Sequence, residues 1–522
     1  MNYYLLVFCL FAGVLSLARI VPHIHMLQQN SYYPSRYFKW LKGEFPSGFW
    51  GTLILFAGAL LLWGFGLYIL GAALFVLLFV FKTRKNAKNQ KSAIKPLVFT
   101  ARVKRLFAAG AFLLAVLTAV AFIFDIKLIG LLCALLCFCP PLTLILFYCL
   151  VYPLEKAVSL HYINDAKRKL KKADGLMTVG ITGSFGKTGV KMMLKDLLSE
   201  KYNVVATPKS FNTPMGVVRT VREHLRRDTR IFLCEMGAKN KGDIKELCKI
   251  AHPRFGIITS VGEQHLETFK TLSAVADTKF ELADCCLKDK SGWVLVNFDS
   301  PAAREKAAGK NVISYGTTDD CDFYAKDIKC DRYGSTFTVV HEGGEFTLRS
   351  RLLGKHNVVN LTGCAAAAIL FGVAPEDIGF AAAGLKPTEH RLEPKRFINN
   401  ALMIDDAYNA NPSGCIEAVN VLATFEGMQK VIITPGLVEL GDKEKECNEA
   451  LARAAAKVCD KIIFVGKKRA EIMMPAALEC GFDKDNIFTA GSFADACNIL
   501  REFADENTAV LVENDLPDNY LK

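Results

Sequence analysis

Residues 177–199 read MTVGITGSFGKTGVKMMLKDLLS, and this stretch decides the fold. Met177–Thr182 is short, β-branched and apolar, which reads as a buried strand. Gly183-Ser184-Phe185-Gly186 then forces a turn. The segment that follows places Met192, Met193, Leu194, Leu197 and Leu198 on one side of a helix. Glycines let backbone N–H groups approach phosphate oxygens, and the helix N-terminus adds positive potential. Lys187 is placed to reach terminal phosphates and Thr188 to bind Mg²⁺. The strict G-x-x-x-x-G-K-[ST] pattern needs Gly at 181, where Ile181 stands, yet the strand–loop–helix context is right. Such a loop says only that a nucleotide binds.

Working outward, short β-branched runs alternate with helical stretches: Asn203–Ala206, Thr229–Cys234, Phe255–Thr259 and Gly292–Val296. A second series follows at Leu402–Ile404, Val431–Thr434, Lys461–Val465 and Ala509–Val512. Alternation of this kind argues parallel sheets covered by helices. Between the series, Cys330–Leu353 reads as antiparallel strands turning at Gly343-Gly344.

Upstream the composition changes. Tyr3–Val21, Phe49–Phe81, Leu106–Phe124 and Leu128–Tyr152 are apolar runs, and a membrane span needs about 20 such residues. The second run is either one long helix or two that turn near Gly64 and Gly66. Asp125-Ile126-Lys127 reads as a tight turn, and Pro140-Pro141 should kink the last helix. Lys82, Arg84, Lys85, Lys88, Lys91, Lys95, Arg102, Lys104 and Arg105 form a basic segment without an acid, which marks the cytoplasmic face. The net charge of +12 therefore points to a membrane and not to nucleic acid. The 17 cysteines include no pair of CxxC motifs and read as reduced thiols rather than zinc ligands or disulfides.

The expected class is α/β: N-terminal transmembrane helices (1–152), a basic linker (153–174), a P-loop central ATPase domain with a parallel sheet (175–386), and a C-terminal Rossmann-like α/β domain (387–522). The expected location is a multi-pass membrane protein with cytoplasmic catalytic domains.

Thr182–Thr188 resembles the P-loop variant of the Mur ligase family. Further segments resemble that family in order: Cys234–Ala238, Thr259–Glu267, Leu353–Asn360, His390–Glu393 and Asp405–Pro412. The last is similar to the branch that adds D-alanyl-D-alanine. Taken singly, a Glu at a strand end, a His or a helical Lys is more often a solvated or structural residue; the ordered set carries the resemblance. It implies ATP and Mg²⁺ as cofactors, with Gly183, Ser184, Phe185, Gly186, Lys187 and Thr188 around the phosphates. It implies Thr188, Glu235, His265 and a carbamylated Lys279 at the metal, and Arg391 at the γ-phosphate. Asn357 or Asn360 would lie near adenine, and Asp405 or Asp406 near ribose. Catalysis would fall to Lys187, His265, Lys279 and Arg391. Asn212 and Thr213, in a substrate-facing loop, and Asn409 and Asn411 are the candidate substrate contacts.

The implied activity is amide formation between a carboxylate-bearing cell-wall precursor and a small amine, through an acyl phosphate. Three departures bear on it. Gly189 follows the P-loop threonine, where the family has Thr or Ser. Glu513-Asn514-Asp515 stands where the dipeptide-adding branch usually carries Lys-Gly-Ser, which bears on the amine. No nucleotide-sugar domain is read before Gly175, so the donor is expected to be either lipid-linked or recognised without one. Alternatives are a membrane-bound ligase extending another polymer such as poly-γ-glutamate, a lipid II amidating ligase (lacking here its cysteine-rich insert), or a scaffold with a degenerate nucleotide site. A transport ATPase is disfavoured because no apolar strand ends in Asp-Glu and no Leu-Ser-Gly-Gly occurs.

Overall fold

The computed structural model describes residues 2–30, 32–42, 57–58, 61–62, 65, 67–91, 96–124, 126–209, 211–262, 266–387, 389–407, 412–438, 440 and 443–514. The chain divides into two compact units, Met1–His161 and Tyr162–Lys522.

The first unit is helical: α1 (Asn2–Arg19), α2 (Val21–Gln29), α3 (Tyr68–Lys91), α4 (Ala101–Phe124), α5 (Lys127–Phe138) and the first part of α6 (Pro140–Lys172). Phe8, Ala12, Leu15, Phe75, Cys133 and Cys137 form one of its cores, with the Phe8 and Phe75 rings 5.0 Å apart. Small residues set the close approaches. A Cβ on Gly71 would lie 2.9 Å from the Phe8 ring, and one on Gly110 would collide with Phe147. Tyr3–Gln29, Ala101–Phe124 and Pro140–Lys172 are long and apolar enough to cross a membrane. In the 49–81 run, residues 57–58 and 61–62 are helical and a continuous helix runs from Tyr68, while Gly64 and Gly66 of the expected turn lie outside the described residues, as does Asp125.

Two expectations change. Pro140-Pro141 does not kink a continuous helix; the chain breaks at Cys139 and the prolines open α6, where a missing N–H costs nothing. Residues 153–172 are not a linker but the continuation of α6. Tyr162, Ile163, Ala166 and Leu170 recur at helical spacing and pack into a core of the second unit.

The second unit holds two sheets. The first runs β1 (Met177–Thr182), α7 (Lys187–Ser199), β2 (Val204–Ala206), α8 (Pro214–His224), β3 (Ile231–Glu235), α9 (Asp243–Ala251), β4 (Phe255–Ile258), α10 (Leu272–Cys286), β5 (Trp293–Asn297), α11 (Pro301–Ala307), β6 (Ile313–Gly316), β7 (Phe323–Asp331), β8 (Gly334–His341), β9 (Gly344–Ser350), α12 (Lys355–Leu370) and α13 (Pro375–Gly384). Its order is β2-β3-β1-β4-β5-β6-β7-β8-β9. Strands β1 to β7 pair in parallel, and β7–β8–β9 form antiparallel hairpins, with His341 paired to Gly344 across the expected turn. Both faces of the parallel part are covered, so its strands are almost wholly apolar. Val179 and Ile181 face Leu194 and Leu197 of α7. On the other face Gly180 lets Leu282 of α10 come so close that a Cβ would lie 2.6 Å from it.

The second sheet has order β10-β11-β15-β12-β13-β14. Its elements are β10 (Glu393–Arg396), β11 (Leu402–Asp406), α14 (Pro412–Ala423), β12 (Gln429–Thr434), α15 (Glu444–Val458), β13 (Lys461–Val465), α16 (Lys467–Glu479), β14 (Ile487–Ala490), α17 (Phe493–Arg501) and β15 (Thr508–Glu513). Only β10 is antiparallel. The sequence reading did not find β6, β10 or β14. Each has four residues, and β10 is a polar edge strand carrying Pro394.

Candidate active site

Strand β1 leads directly into the glycine turn. Gly183 has φ +153, and a Cβ there would collide with the Thr259 hydroxyl. Gly186 has φ +81, in the left-handed region, and caps α7. The end of β4 pins the loop: Ser184 N donates to Ser260 O at 2.8 Å, Phe185 N to Ser260 Oγ at 3.0 Å, and Thr259 Oγ1 to Phe185 O at 2.5 Å. Lys187 folds back over the turn, its Nζ donating to Gly183 O at 2.7 Å and Ser184 O at 2.8 Å. Ile181, which breaks the strict motif, is a fully buried core residue of β1, so the glycine turn starts two residues later.

Strand order places β3 beside β1, with Glu235 opposite Ile181. The Glu235 carboxylate is 1% exposed. Thr188 Oγ1 donates to its Oε2 at 3.0 Å, Lys191 Nζ to the same oxygen at 2.8 Å, and Asn212 Nδ2 to Oε1 at 3.0 Å. A hydroxyl and a carboxylate side by side are hard oxygen donors, and Mg²⁺ beside phosphates needs only one or two protein oxygens. The pair therefore suits that ion. Among the described residues no three His, Cys, Asp or Glu side chains gather as a fuller metal cage. His265 lies outside the described residues.

Lys279 sits on α10, whose start is capped by Thr271 Oγ1 accepting from Ala274 N at 3.2 Å. It is 2% exposed. Burial pushes its amine down to about 7, and the Lys187 charge pushes the same way against Asp243 and Glu281. Lys187 is itself lowered to about 8 by burial, with Glu235 opposing and Arg391 reinforcing the shift. Lys187, Glu235, Lys279 and Arg391 are thus within electrostatic reach around one turn. Lys191 escaped the sequence reading. It follows Thr188 by three residues on a face shared with Val190 and Leu194, and a lysine in such a row was the available signal.

Arg391 stands between His390 (φ +58) and Leu392 (φ +46), both left-handed. Its charge acts on Lys187, on His356 and on Asp406. His356 lies within the Leu353–Asn360 segment. It is pushed down to about 4, by burial and then by Arg391, and its Nδ1 has no hydrogen-bond partner among the described residues. Asn357 Nδ2 donates to Leu353 O at 2.8 Å, whereas Asn360 packs on Gly186, within 3.0 Å of where a Cβ would stand. Asn360 is therefore the one beside the glycine turn.

The two aspartates of β11 face opposite ways, as alternation requires. Asp405 accepts from His390 Nδ1 and Lys395 Nζ, both at 2.8 Å; burial raises its pKa, but these bonds bring the net shift down. Asp406 accepts from Leu392 N at 3.2 Å and lies opposite Glu513 of β15. Burial pushes Asp406 up to about 6 and Glu513 well above its ordinary range. Cys415 Sγ donates to Glu513 Oε1 at 2.8 Å. Thr213 is the N-cap of α8. Asn409 and Asn411 lie outside the described residues.

A glycine turn closed by a lysine, a threonine–glutamate pair and an arginine from a second α/β domain define a class. Two family models match the chain: the Mur ligase middle domain over residues 181–368, and the Mur ligase, glutamate ligase domain over residues 390–513. The chain belongs to the Mur ligase family, whose members are ATP-dependent ligases.

Particular relatives narrow the comparison. The chain is 31% identical over 342 residues to the UDP-N-acetylmuramoyl-tripeptide–D-alanyl-D-alanine ligase of Bacillus subtilis, covering 65% of this chain and 72% of that enzyme. It is 30% identical over 295 residues to the enzyme of that name from Escherichia coli, covering 56% of this chain and 64% of the other. Among solved structures, MurF from Acinetobacter baumannii superposes with a TM-score of 0.60 at 26% identity, over 68% of this chain and 77% of that one. The Thermotoga maritima MurF complex with ADP shares the fold at TM-score 0.60 and 24% identity, over 68% and 80% of the two chains.

Proposed function

We propose that the chain joins a carboxylate to an amine at the expense of ATP, on a peptidoglycan precursor, in the manner of the D-alanyl-D-alanine-adding relatives. The observation that carries this reading is the gathering of Lys187, Thr188, Glu235, Lys279 and Arg391 around the turn 183–186. In the first step a substrate carboxylate oxygen attacks the γ-phosphorus of ATP, the bond to the β-phosphate oxygen breaks, and an acyl phosphate and ADP result. In the second, the amine nitrogen attacks the acyl carbon, the carbon–oxygen bond to phosphate breaks, and the nitrogen loses its proton. Each step crowds anions together, so clamping negative charge is the main task.

Lys187 leaves the Gly183 and Ser184 carbonyls for the β- and γ-phosphates, and Arg391 meets the γ-phosphate from the C-terminal domain. Asn360 borders the nucleotide at Gly186, and Asp406 lies on the Arg391 side of β11, toward ribose. Thr188 and Glu235 would hold Mg²⁺, which supplies neutralising charge to the phosphates. Lys279, with an amine near pKa 7, is substantially neutral at physiological pH and can add CO₂ to form the carbamate expected there. The apolar helices support a membrane location with this unit on the cytoplasmic side. They also favour a lipid-linked carboxylate donor.

The test is amine-dependent release of phosphate from ATP by purified full-length protein, offered precursor extracts containing lipid and soluble fractions together with D-alanyl-D-alanine. Release is expected with the dipeptide present. No release with any fraction would overturn the ligase reading.

A further inference from the structure

Lys191 is fully buried, and its ammonium makes two bonds to two different parts of the site. One goes to Glu235 Oε2 at 2.8 Å, the other to Lys209 O at 2.6 Å. A buried ammonium persists only when paired, because leaving water costs it several kcal/mol. Lys209 has φ +45, a left-handed bend that a non-glycine residue adopts only when its surroundings hold it there. The bond from Lys191 to its carbonyl is such a hold. The same loop returns to the carboxylate at Asn212, whose amide reaches Glu235 Oε1 at 3.0 Å while its carbonyl accepts from Gly237 N at 2.9 Å. Thr207, at the start of the loop, accepts from Glu235 N at 3.1 Å. Both oxygens and the amide of Glu235 are thus tied to the segment 207–212.

Helix geometry sorts the two α7 donors. Thr188 lies at the N-terminal end, toward the phosphate turn, and Lys191 stands about 4.5 Å further along the axis, on the side away from it. A dication drawn to Thr188 and Glu235 can therefore bind while Lys191 keeps its place.

We propose that Lys191 is a positioning residue that makes Glu235 and the substrate-facing loop one hydrogen-bonded unit, so that metal–nucleotide binding sets the loop that receives the carboxylate substrate. This rests on the reading of Glu235 as a metal ligand and of the loop carrying Asn212 as substrate-facing. Coupling of this kind is reciprocal: whatever fixes the loop also improves metal binding.

The experiment uses the full chain with ADP and MgCl₂, so it does not depend on the unidentified donor. ADP affinity is measured by calorimetry with Mg²⁺ and with EDTA, and amide hydrogen exchange is followed over 207–213. In the unaltered protein Mg²⁺ tightens ADP binding and slows exchange in the loop. In Lys191→Met, affinity in EDTA stays unchanged, the Mg²⁺-dependent gain falls by about tenfold or more, as for other residues that orient a metal ligand, and Mg²⁺ no longer protects the loop. Lys191→Arg restores part of both. Asn212→Ala cuts the direct link without stripping a buried charge, and it is expected to lose loop protection even if Lys191→Met does not fold. Normal Mg²⁺ gain and normal loop protection in Asn212→Ala and in each folded Lys191 variant would overturn the coupling alone. An unaltered protein in which Mg²⁺ leaves ADP binding unchanged would overturn the ATP–Mg²⁺ reading together with it.

Discussion

Glu235 and Glu513 occupy equivalent places in two sheets. Each is the last residue of a parallel strand, each is buried, and each lies opposite the end of the neighbouring strand. Their surroundings are opposite. Glu235 meets an ammonium, a hydroxyl and an amide. Glu513 meets another carboxyl, Asp406, and a thiol. At a strand end in an α/β fold the topology supplies only the position, next to the ligand cleft. Whether that position attracts a cation or stores a proton is decided by a few side chains from the adjacent helix and loop.

Removing the buried lysine near the Glu235 side of this contrast, Lys279, should have the largest effect. Lys279→Ala is expected to abolish amine-dependent phosphate release, with partial return when short carboxylic acids are added. In the unaltered protein the rate should fall as pH drops below about 7, because the amine becomes protonated and no longer adds CO₂. A normal rate in the variant would remove Lys279 from the site.

The next effect compares the two glutamates directly. Glu235→Gln keeps the shape and removes the charge, and should lower Mg²⁺-dependent turnover by about 10²-fold or more, the scale of losing one electrostatic contact in a closed site. Glu513→Gln should change turnover less, because burial beside Asp406 raises the Glu513 carboxyl and so disfavours the charged form that glutamine also lacks. Equal losses in the two variants would erase the distinction.

The smallest effect is on stability. Asp406 is raised from 3.8 to about 6, so its contribution to the fold is full below about pH 4 and is lost as pH rises through about 6. Glu513 shifts in the same direction. Glu513→Gln removes one member of the pair, so the variant should gain on the unaltered protein as pH rises from about 4 through about 6, by about 1 kcal/mol. Thermal unfolding at the two pH values in detergent would show it, and a difference that shrinks with pH would contradict the upward shift of this carboxyl pair.

The glycine turn and the strand before it were legible because they are local: one apolar strand, two glycines and a helix within 177–199. The pairing of Asp406 with Glu513 was not, because it depends on which strand β15 chooses as a neighbour across the sheet. Lys191 was hidden by its charge, since a lysine on a helix reads as solvated until the strand beside it is known to end in Glu235. The stretch 153–172 misled in another way. Its many basic residues suggested a connector, whereas Tyr162, Ile163, Ala166 and Leu170 among them form the apolar stripe that makes it a packed helix.

The resting position of Lys187 has a consequence for selectivity. With its ammonium already satisfied by the carbonyls of Gly183 and Ser184, the turn offers a small anion only an exchange of one set of bonds for another. Orthophosphate, abundant in any cytoplasm, gains little by such an exchange. A polyphosphate chain that also reaches Arg391 and a Thr188-bound cation gains at several points at once. On the proposed ATP reading, the latch would act as a filter for chain length, turning away single phosphates while yielding to a triphosphate.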